Sequence, residues 1–260
     1  MQPIAAPVPV PTLSDNYVWL LPGRGGDAVV VDPGEAAPVR KALARHALRP
    51  AAVLLTHHHA DHIGGTAELL GDFPGLPVFA PDDPRIALPC TRVRDGEVAA
   101  VAGGWRFEVI GVPGHTVSHV AFLGHGVLCS GDTLFSLGCG RLFEGTPAQM
   151  LASLDRLAAL PVDTLVCCGH EYTLANGAFA RRVEPDNRAL DARLQEATAM
   201  RDRGLPTLPA TLGGELAANP FLRVDAPAVR AAAADWLGHD PGDRVGTFAA
   251  LRRWKDGFRA

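Results

Sequence analysis

Thr56-His57-His58-His59-Ala60-Asp61-His62 is the stretch that decides how this chain is read. It follows a short β-like run, Val53-Leu54-Leu55, and precedes Gly64-Gly65 and a helical pattern. Side chains alternate in an extended segment, so His57 and His59 face the same side. Asp61 and His62 fall where the chain turns into the helix. One loop therefore offers two imidazoles to one ion and a carboxylate plus an imidazole to a second. That donor set suits zinc, iron or manganese. The plain alternative is a solvated His-rich loop; four His and one Asp in this order at a strand end argue against it. No His-Glu-x-x-His occurs, so the helix-borne zinc motif is not the template.

Further candidate ligands follow other strand-like runs. His115 lies in Pro113-Gly114-His115-Thr116, after the alternating run Trp105 to Ile110. Asp132 lies in Ser130-Gly131-Asp132-Thr133, after Val127 to Ser130, and His170 in Gly169-His170-Glu171, after Thr164 to Cys168. Each taken alone is more often structural; their shared place at a strand end, beside a Gly that permits a tight turn, groups them as ligands. His57, His59 and His115 would then hold one ion, Asp61, His62 and His170 the other, with Asp132 bridging. Such a pair generates hydroxide near neutral pH and polarises a carbonyl. His58 is left over, behind the ligands or on the surface.

The rest of the chain is that of an ordinary globular protein. It has 260 residues, 47% hydrophobic and 20% charged, with a net charge of −4. A general nucleic-acid binder would be basic. The first residues, Met1 to Pro7, have neither a basic start nor an apolar run, and no stretch is long enough to cross a membrane, so neither export nor a membrane is expected. Five cysteines without repeating spacing argue against a disulfide framework and fit the cytoplasm. A monomer is expected. Strand-like runs also cover 29–31, 77–80 and a hairpin, 119–123 and 127–130, around Gly124-His125-Gly126. Helical patterns cover 37–47, 65–70 and 146–160. After Gly169 the texture turns helical, over 188–203, 228–237 and 247–255. The expectation is an α/β domain over 1–170 and a smaller helical domain over 171–260.

The order Thr-His-His-His-x-Asp-His, Gly-His-Thr, Gly-Asp-Thr, Gly-His-Glu resembles the metallo-β-lactamase superfamily. The resemblance implies an αβ/βα sandwich with two divalent metal ions at one rim, zinc first, iron or manganese as alternatives. Asp32, in Val31-Asp32-Pro33-Gly34, matches that superfamily's early buried Asp, which supports the ligand loop; a turn-forming Asp is the competing reading. Narrower motifs are Gly138-Cys139-Gly140-Arg141-Leu142-Phe143-Glu144-Gly145-Thr146, Gly169-His170-Glu171-Tyr172-Thr173, Asn219-Pro220-Phe221-Leu222-Arg223 and Leu251-Arg252-Arg253-Trp254-Lys255-Asp256. Together they resemble glyoxalase II, the hydroxyacylglutathione hydrolases, over nearly the whole chain.

That resemblance implies a substrate, S-lactoylglutathione and related 2-hydroxyacyl thioesters, and a role in methylglyoxal detoxification. A hydroxide between the metals would attack the thioester carbonyl, yielding D-lactate and glutathione. Asp61 and Asp132 would serve the catalytic step. Arg141, Phe143, Tyr172, Arg252 and Lys255 would bind substrate, the cations pairing with its carboxylates. Phe143 departs from a common Tyr and so lacks a hydroxyl; Arg141 replaces Lys and keeps the charge. Spacing alone favours reading Arg252, Arg253 and Lys255 as a solvated helix face or as cations complementing a helix C-terminus; the resemblance reverses that. Cys139 reads as structural, and Cys129, Cys167 and Cys168 as buried apolar residues. Rival readings are a lactonase, β-lactamase or general thioesterase on the same metal site, a single-iron persulfide dioxygenase, and a metal-dependent binding protein without turnover.

Overall fold

A computed structural model describes residues 5–23 and 25–259. The amino-terminal reading over residues 1–4 lies outside the described residues. Two compact units emerge, and they do not follow chain order: Met1–Gly111, Ser118–Gly131 and Cys167–Glu171 form one, and Val112–Val117, Asp132–Val166 and Tyr172–Ala260 the other.

In the first unit, β1 (Val8–Thr12), β2 (Asn16–Pro22), β3 (Asp27–Val31), β4 (Arg49–Leu54), β5 (Val78–Pro81) and β6 (Thr91–Val93) form one sheet in chain order. β1 to β3 are antiparallel; β3 to β6 are parallel, joined through α1 (Ala36–Arg45), α2 (Ala60–Ile63) and α3 (Thr66–Asp72). β2 is buried along its whole length, as a strand covered on both faces must be. On one face Val18, Leu20, Val30, Val53 and Leu55 pack with Val39, Leu43 and Leu69 from the helices. Trp19, of opposite parity, points the other way and donates its indole N–H to the Cys168 carbonyl.

That carbonyl belongs to the second sheet. It contains β7 (Val98–Val101), β8 (Trp105–Gly111), β9 (Val120–Gly124) and β10 (Val127–Gly131), with the end of β13 (Leu165–Cys168) beside β10. Two sheets face to face with helices on the outer face of the first give the expected α/β sandwich. The β9–β10 hairpin turns through His125 and Gly126 at φ 55° and 79°, the positive values a two-residue turn needs.

The second unit holds the hairpin β11 (Leu134–Phe135) and β12 (Gly138–Cys139), α4 (Pro147–Ala158), α5 (Thr173–Val183), α6 (Arg188–Asp202), β14 (Ala210–Thr211), α7 (Leu212–Ala218), α8 (Pro227–Leu237) and α9 (Arg244–Gly257). α4 starts where its sequence says it should, with Thr146 and Gln149 forming a reciprocal capping box and Pro147 in the first turn. Arg244 ties α9 to α4 by a paired bond to Asp155, at 2.8 Å on each oxygen. The post-Gly169 segment is helical except for β14, which pairs with the start of β13. Buried Glu215 of α7 accepts hydrogen bonds from Ser136 Oγ, Leu137 N and Asn219 Nδ2, anchoring the β11–β12 hairpin; burial pushes its pKa up.

Candidate metal centre

Strands β3 and β4 run parallel with Val31 beside Leu54, so their carboxyl ends lie side by side. Asp32 leaves β3 and the His57 loop leaves β4. Asp32 is buried, at φ 51°, a left-handed conformation that Asp tolerates better than most residues. Its carboxylate accepts from Thr56 N at 2.8 Å, Thr56 Oγ1 at 2.7 Å and His62 Nδ1 at 3.0 Å. Asp32 therefore supports the ligand loop rather than merely forming a turn. It lies close enough to His57 and His62 to make a third donor group, but these bonds already occupy its oxygens.

The hydrogen bonds also fix which ring nitrogens carry lone pairs. Thr56 has one hydroxyl proton, which goes to Asp32; its oxygen must then accept from His57 Nδ1, 3.0 Å away. His57 Nε2 is left as an acceptor, 3.0 Å from His59 Nδ1. His62 spends its Nδ1 proton on Asp32, and His170 spends its own on Asp15 at 2.8 Å. Both Nε2 atoms lie 3.5 Å from Asp61 Oδ2. Two imidazole lone pairs and a carboxylate oxygen thus converge, within 4.8 Å of one another. Asn16 Nδ2 also lies 3.5 Å from His170 Nε2, and the donor set as a whole suits a cation. The His57 and His62 rings are 4.2 Å apart, so the two donor groups are neighbours, an arrangement compatible with a binuclear metal site.

The second unit repeats this logic. His115 donates from Nδ1 to the Arg141 carbonyl at 2.9 Å, which leaves Nε2 as an acceptor 3.5 Å from Asp132 Oδ2. Both residues are buried. Gly140 allows this packing: a Cβ there would lie 1.9 Å from the Asp132 carbonyl oxygen. Phe143, 64% exposed, sets its ring edge-on to His115 at 5.1 Å. Tyr172 packs against Phe135 at 5.3 Å.

The three expected substrate cations gather near Asp256. Arg141 Nε is 3.8 Å and Arg252 Nη2 3.0 Å from its carboxylate. Burial, then the charges of Arg252 and Arg141, lower the Lys255 pKa. Arg252 is not on a solvated face: it is 5% exposed and donates to the Cys139 carbonyl at 2.7 Å. Arg253 points elsewhere, over the Trp236 ring. Cys139 is no nucleophile, since burial pushes its thiol up to about 11. Cys129, Cys167 and Cys168 are buried and in no disulfide, as expected.

Sequence reasoning missed Asp15, Asn16 and His119. Asp15 orients His170, and Asn16 Nδ2 donates to Asp61 Oδ2 at 2.8 Å. They sit in the β1–β2 turn, Leu13-Ser14-Asp15-Asn16; the only signal is a polar cluster between two apolar runs. Partners behind metal-bound histidines typically matter about 10–100-fold for affinity. Asp15→Ala is expected to weaken zinc binding about tenfold or more, as read by competition with a chromogenic chelator; unchanged affinity refutes the role.

These folds and donors define the metallo-β-lactamase superfamily, whose family model matches residues 11–170. A second model, the hydroxyacylglutathione hydrolase C-terminus, matches residues 171–258. The chain is 58% identical to the hydroxyacylglutathione hydrolase of Xanthomonas campestris pv. campestris (strain B100), over 96% of this chain and 98% of that protein. It is 57% identical to the one from Xylella fastidiosa (strain M23), over 96% of each. Among solved structures, the BLEG-1 B3 metallo-β-lactamase aligns with a TM-score of 0.62 at 26% identity, over 84% of this chain and 98% of that one. The chain belongs to the hydroxyacylglutathione hydrolase family.

Proposed function

We propose that this protein hydrolyses S-(2-hydroxyacyl)glutathione thioesters, chiefly S-lactoylglutathione, to D-lactate and glutathione, as a cytoplasmic monomer of methylglyoxal detoxification. The observation that carries this reading is the match to relatives of that name along 96% of the chain, helical region included. In chain order, residues 1–170 are the hydrolase part and 171–260 the substrate-binding part.

Two divalent ions, zinc first, would be held by His57, His59 and His115 and by Asp61, His62 and His170, with Asp132 shared. Bound there, they would supply a water of lowered pKa and a Lewis acid for the thioester carbonyl. The chain does the rest. Asp32 and Asp15 hold His62 and His170 in the tautomer that presents Nε2. Asn16 steadies Asp61, whose carboxylate can also take up a proton in the attack. Arg141, Arg252 and Lys255 form a cationic mouth for the glutathione carboxylates, with Phe143 and Tyr172 as packing surfaces. Burial, then repulsion from Arg252 and Arg141, lowers the Lys255 pKa, and an incoming carboxylate would offset the repulsion. The thiolate leaves readily, so no strong general acid is required.

The test is steady-state hydrolysis of S-lactoylglutathione by the purified protein, followed as loss of thioester. Saturable turnover, abolished by chelation and restored by zinc, is expected. No turnover in folded, metal-loaded protein would move the substrate to another superfamily member's. Lys255→Ala is expected to raise KM about tenfold with kcat within about twofold, as uniform binding is lost. A fall in kcat with KM unchanged would remove Lys255 from the mouth.

A further inference from the structure

The ligand set leaves His58 over and gives the buried carboxylate of Asp83 no part. The two meet behind the ligand loop. β4 and β5 are parallel neighbours, with Val53 beside Val78 and Leu54 beside Phe79. The His57 loop leaves one carboxyl end and the turn that carries Asp83 leaves the other. Asp83 is 2% exposed. Its Oδ1 accepts from Arg85 N and Nε, each at 2.9 Å; its Oδ2 accepts from Arg85 Nη2 at 2.7 Å and from Ser118 Oγ. The same Oδ2 lies 3.5 Å from His58 Nδ1.

Besides Arg85, the two neighbours of Oδ2 lead to the proposed ligands His57 and His59. His58 sits between His57 and His59 in the chain, its ring 4.7 Å from that of His59. Ser118 precedes His119, whose buried ring stacks on His57 at 4.6 Å with the planes 18° apart. The turn itself needs only Oδ1, which caps Arg85 N. Oδ2 reaches further: it accepts from Ser118 Oγ and lies against His58 Nδ1 at 3.5 Å, a packing contact rather than a hydrogen bond. A buried carboxylate is costly unless paired, and the Arg85 fork pairs it.

We infer that Asp83, held by Arg85, is a positioning residue for the ligands His57 and His59, acting through His58 on one side and Ser118–His119 on the other. The inference rests on reading His57 and His59 as ligands. Rings not held in place lose affinity, because a metal site demands donors fixed to a fraction of an ångström.

The experiment measures zinc affinity of the full chain by chelator competition, together with the visible spectrum of the cobalt-loaded protein. Wild-type protein must first take up two ions; failure there refutes the ligand assignment itself, before any variant is compared. Asp83→Asn is expected to weaken zinc binding about tenfold or more and to alter the cobalt spectrum. Arg85→Lys, which keeps the charge and loses the fork, is expected to weaken it severalfold. Arg244→Ala, which breaks the ion pairs to Asp155 and Asp225 in the other unit, should lower the melting temperature yet leave affinity and spectrum unchanged. Wild-type affinity and spectrum in Asp83→Asn would overturn the inference. So would an equal affinity loss in Arg244→Ala, which would trace the effect to global stability. Should Asp83→Asn fail to fold, Arg85→Lys decides, and unchanged zinc affinity in that variant overturns the inference.

Discussion

Replacing Asp132 by Ala is expected to lower turnover of S-lactoylglutathione by at least about 10³-fold, equivalent to about 4 kcal/mol of barrier. Asp132 follows β10 directly and is 6% exposed. Its Oδ2 lies opposite His115 Nε2 at 3.5 Å, and that nitrogen is an acceptor because Nδ1 donates to the Arg141 carbonyl. Two such donor atoms side by side suit a shared cation. As the proposed shared ligand, Asp132 supplies the negative charge and the link that holds both ions. Alanine removes both and leaves the backbone free to keep its place, since the Asp132 carbonyl still packs on Gly140. The measurement is kcat with metal content determined on the same sample. Near-normal turnover with two ions retained would refute the shared-ligand assignment.

The proposed donors can be picked out in the sequence because their geometry is local. The alternation of His57 and His59, and the turn into α2 at Asp61 and His62, follow from backbone periodicity within six residues. What holds the donors is not local. Asp15 lies 155 residues from His170, and Asp83 35 residues from Ser118. No window of sequence connects such pairs; only the folded chain brings them together, the Asn16–His170 bridge beside Asp15 and the carboxyl end of β5 for Asp83. Candidate donors can therefore be proposed from the chain, whereas their orientation requires the fold.

The missed elements have similarly specific causes. β1 carries Pro9 and Pro11, tolerated because it is the sheet edge, yet prolines argue against a strand in the sequence. β2 is a continuous apolar run, which periodicity alone cannot distinguish from a buried helix. α5 contains Asn176 and Gly177, both poor helix formers. Packing overrides that preference: a Cβ on Gly177 would come within 2.2 Å of Leu194 Cδ2 in α6, so glycine is what lets the two helices close. The Arg252–Lys255 spacing reads as a charged face; only the structure shows that Arg252 is sunk against Cys139 while Arg141 stays in solvent.

Gly34→Ala is expected to destabilise the protein by about 1–3 kcal/mol and to weaken zinc binding about tenfold or more. A Cβ on Gly34 would sit 2.0 Å from the backbone oxygen of Asp61. The clash is with backbone, so no side chain can swing away. Two glycine turns meet here: Gly65 N donates to the Pro33 carbonyl at 2.8 Å, and a Cβ on Gly64 would lie 2.8 Å from the Gly34 oxygen. This contact sets the distance between Asp32, which orients His62, and Asp61, which faces it. Pushing the turns apart would move both ends of that arrangement at once, and displacements of about 1 Å at a reacting centre cost about a hundredfold in rate. Gly71→Ala is the matched control: Gly71 lies in α3 with nothing within 4 Å of its Cβ. It should be neutral or stabilise by up to about 1 kcal/mol. Melting temperature and zinc affinity of the two variants decide the matter, since only at Gly34 does the added methyl meet backbone. If Gly34→Ala behaved like Gly71→Ala, the glycine contact would not be what spaces Asp32 from Asp61.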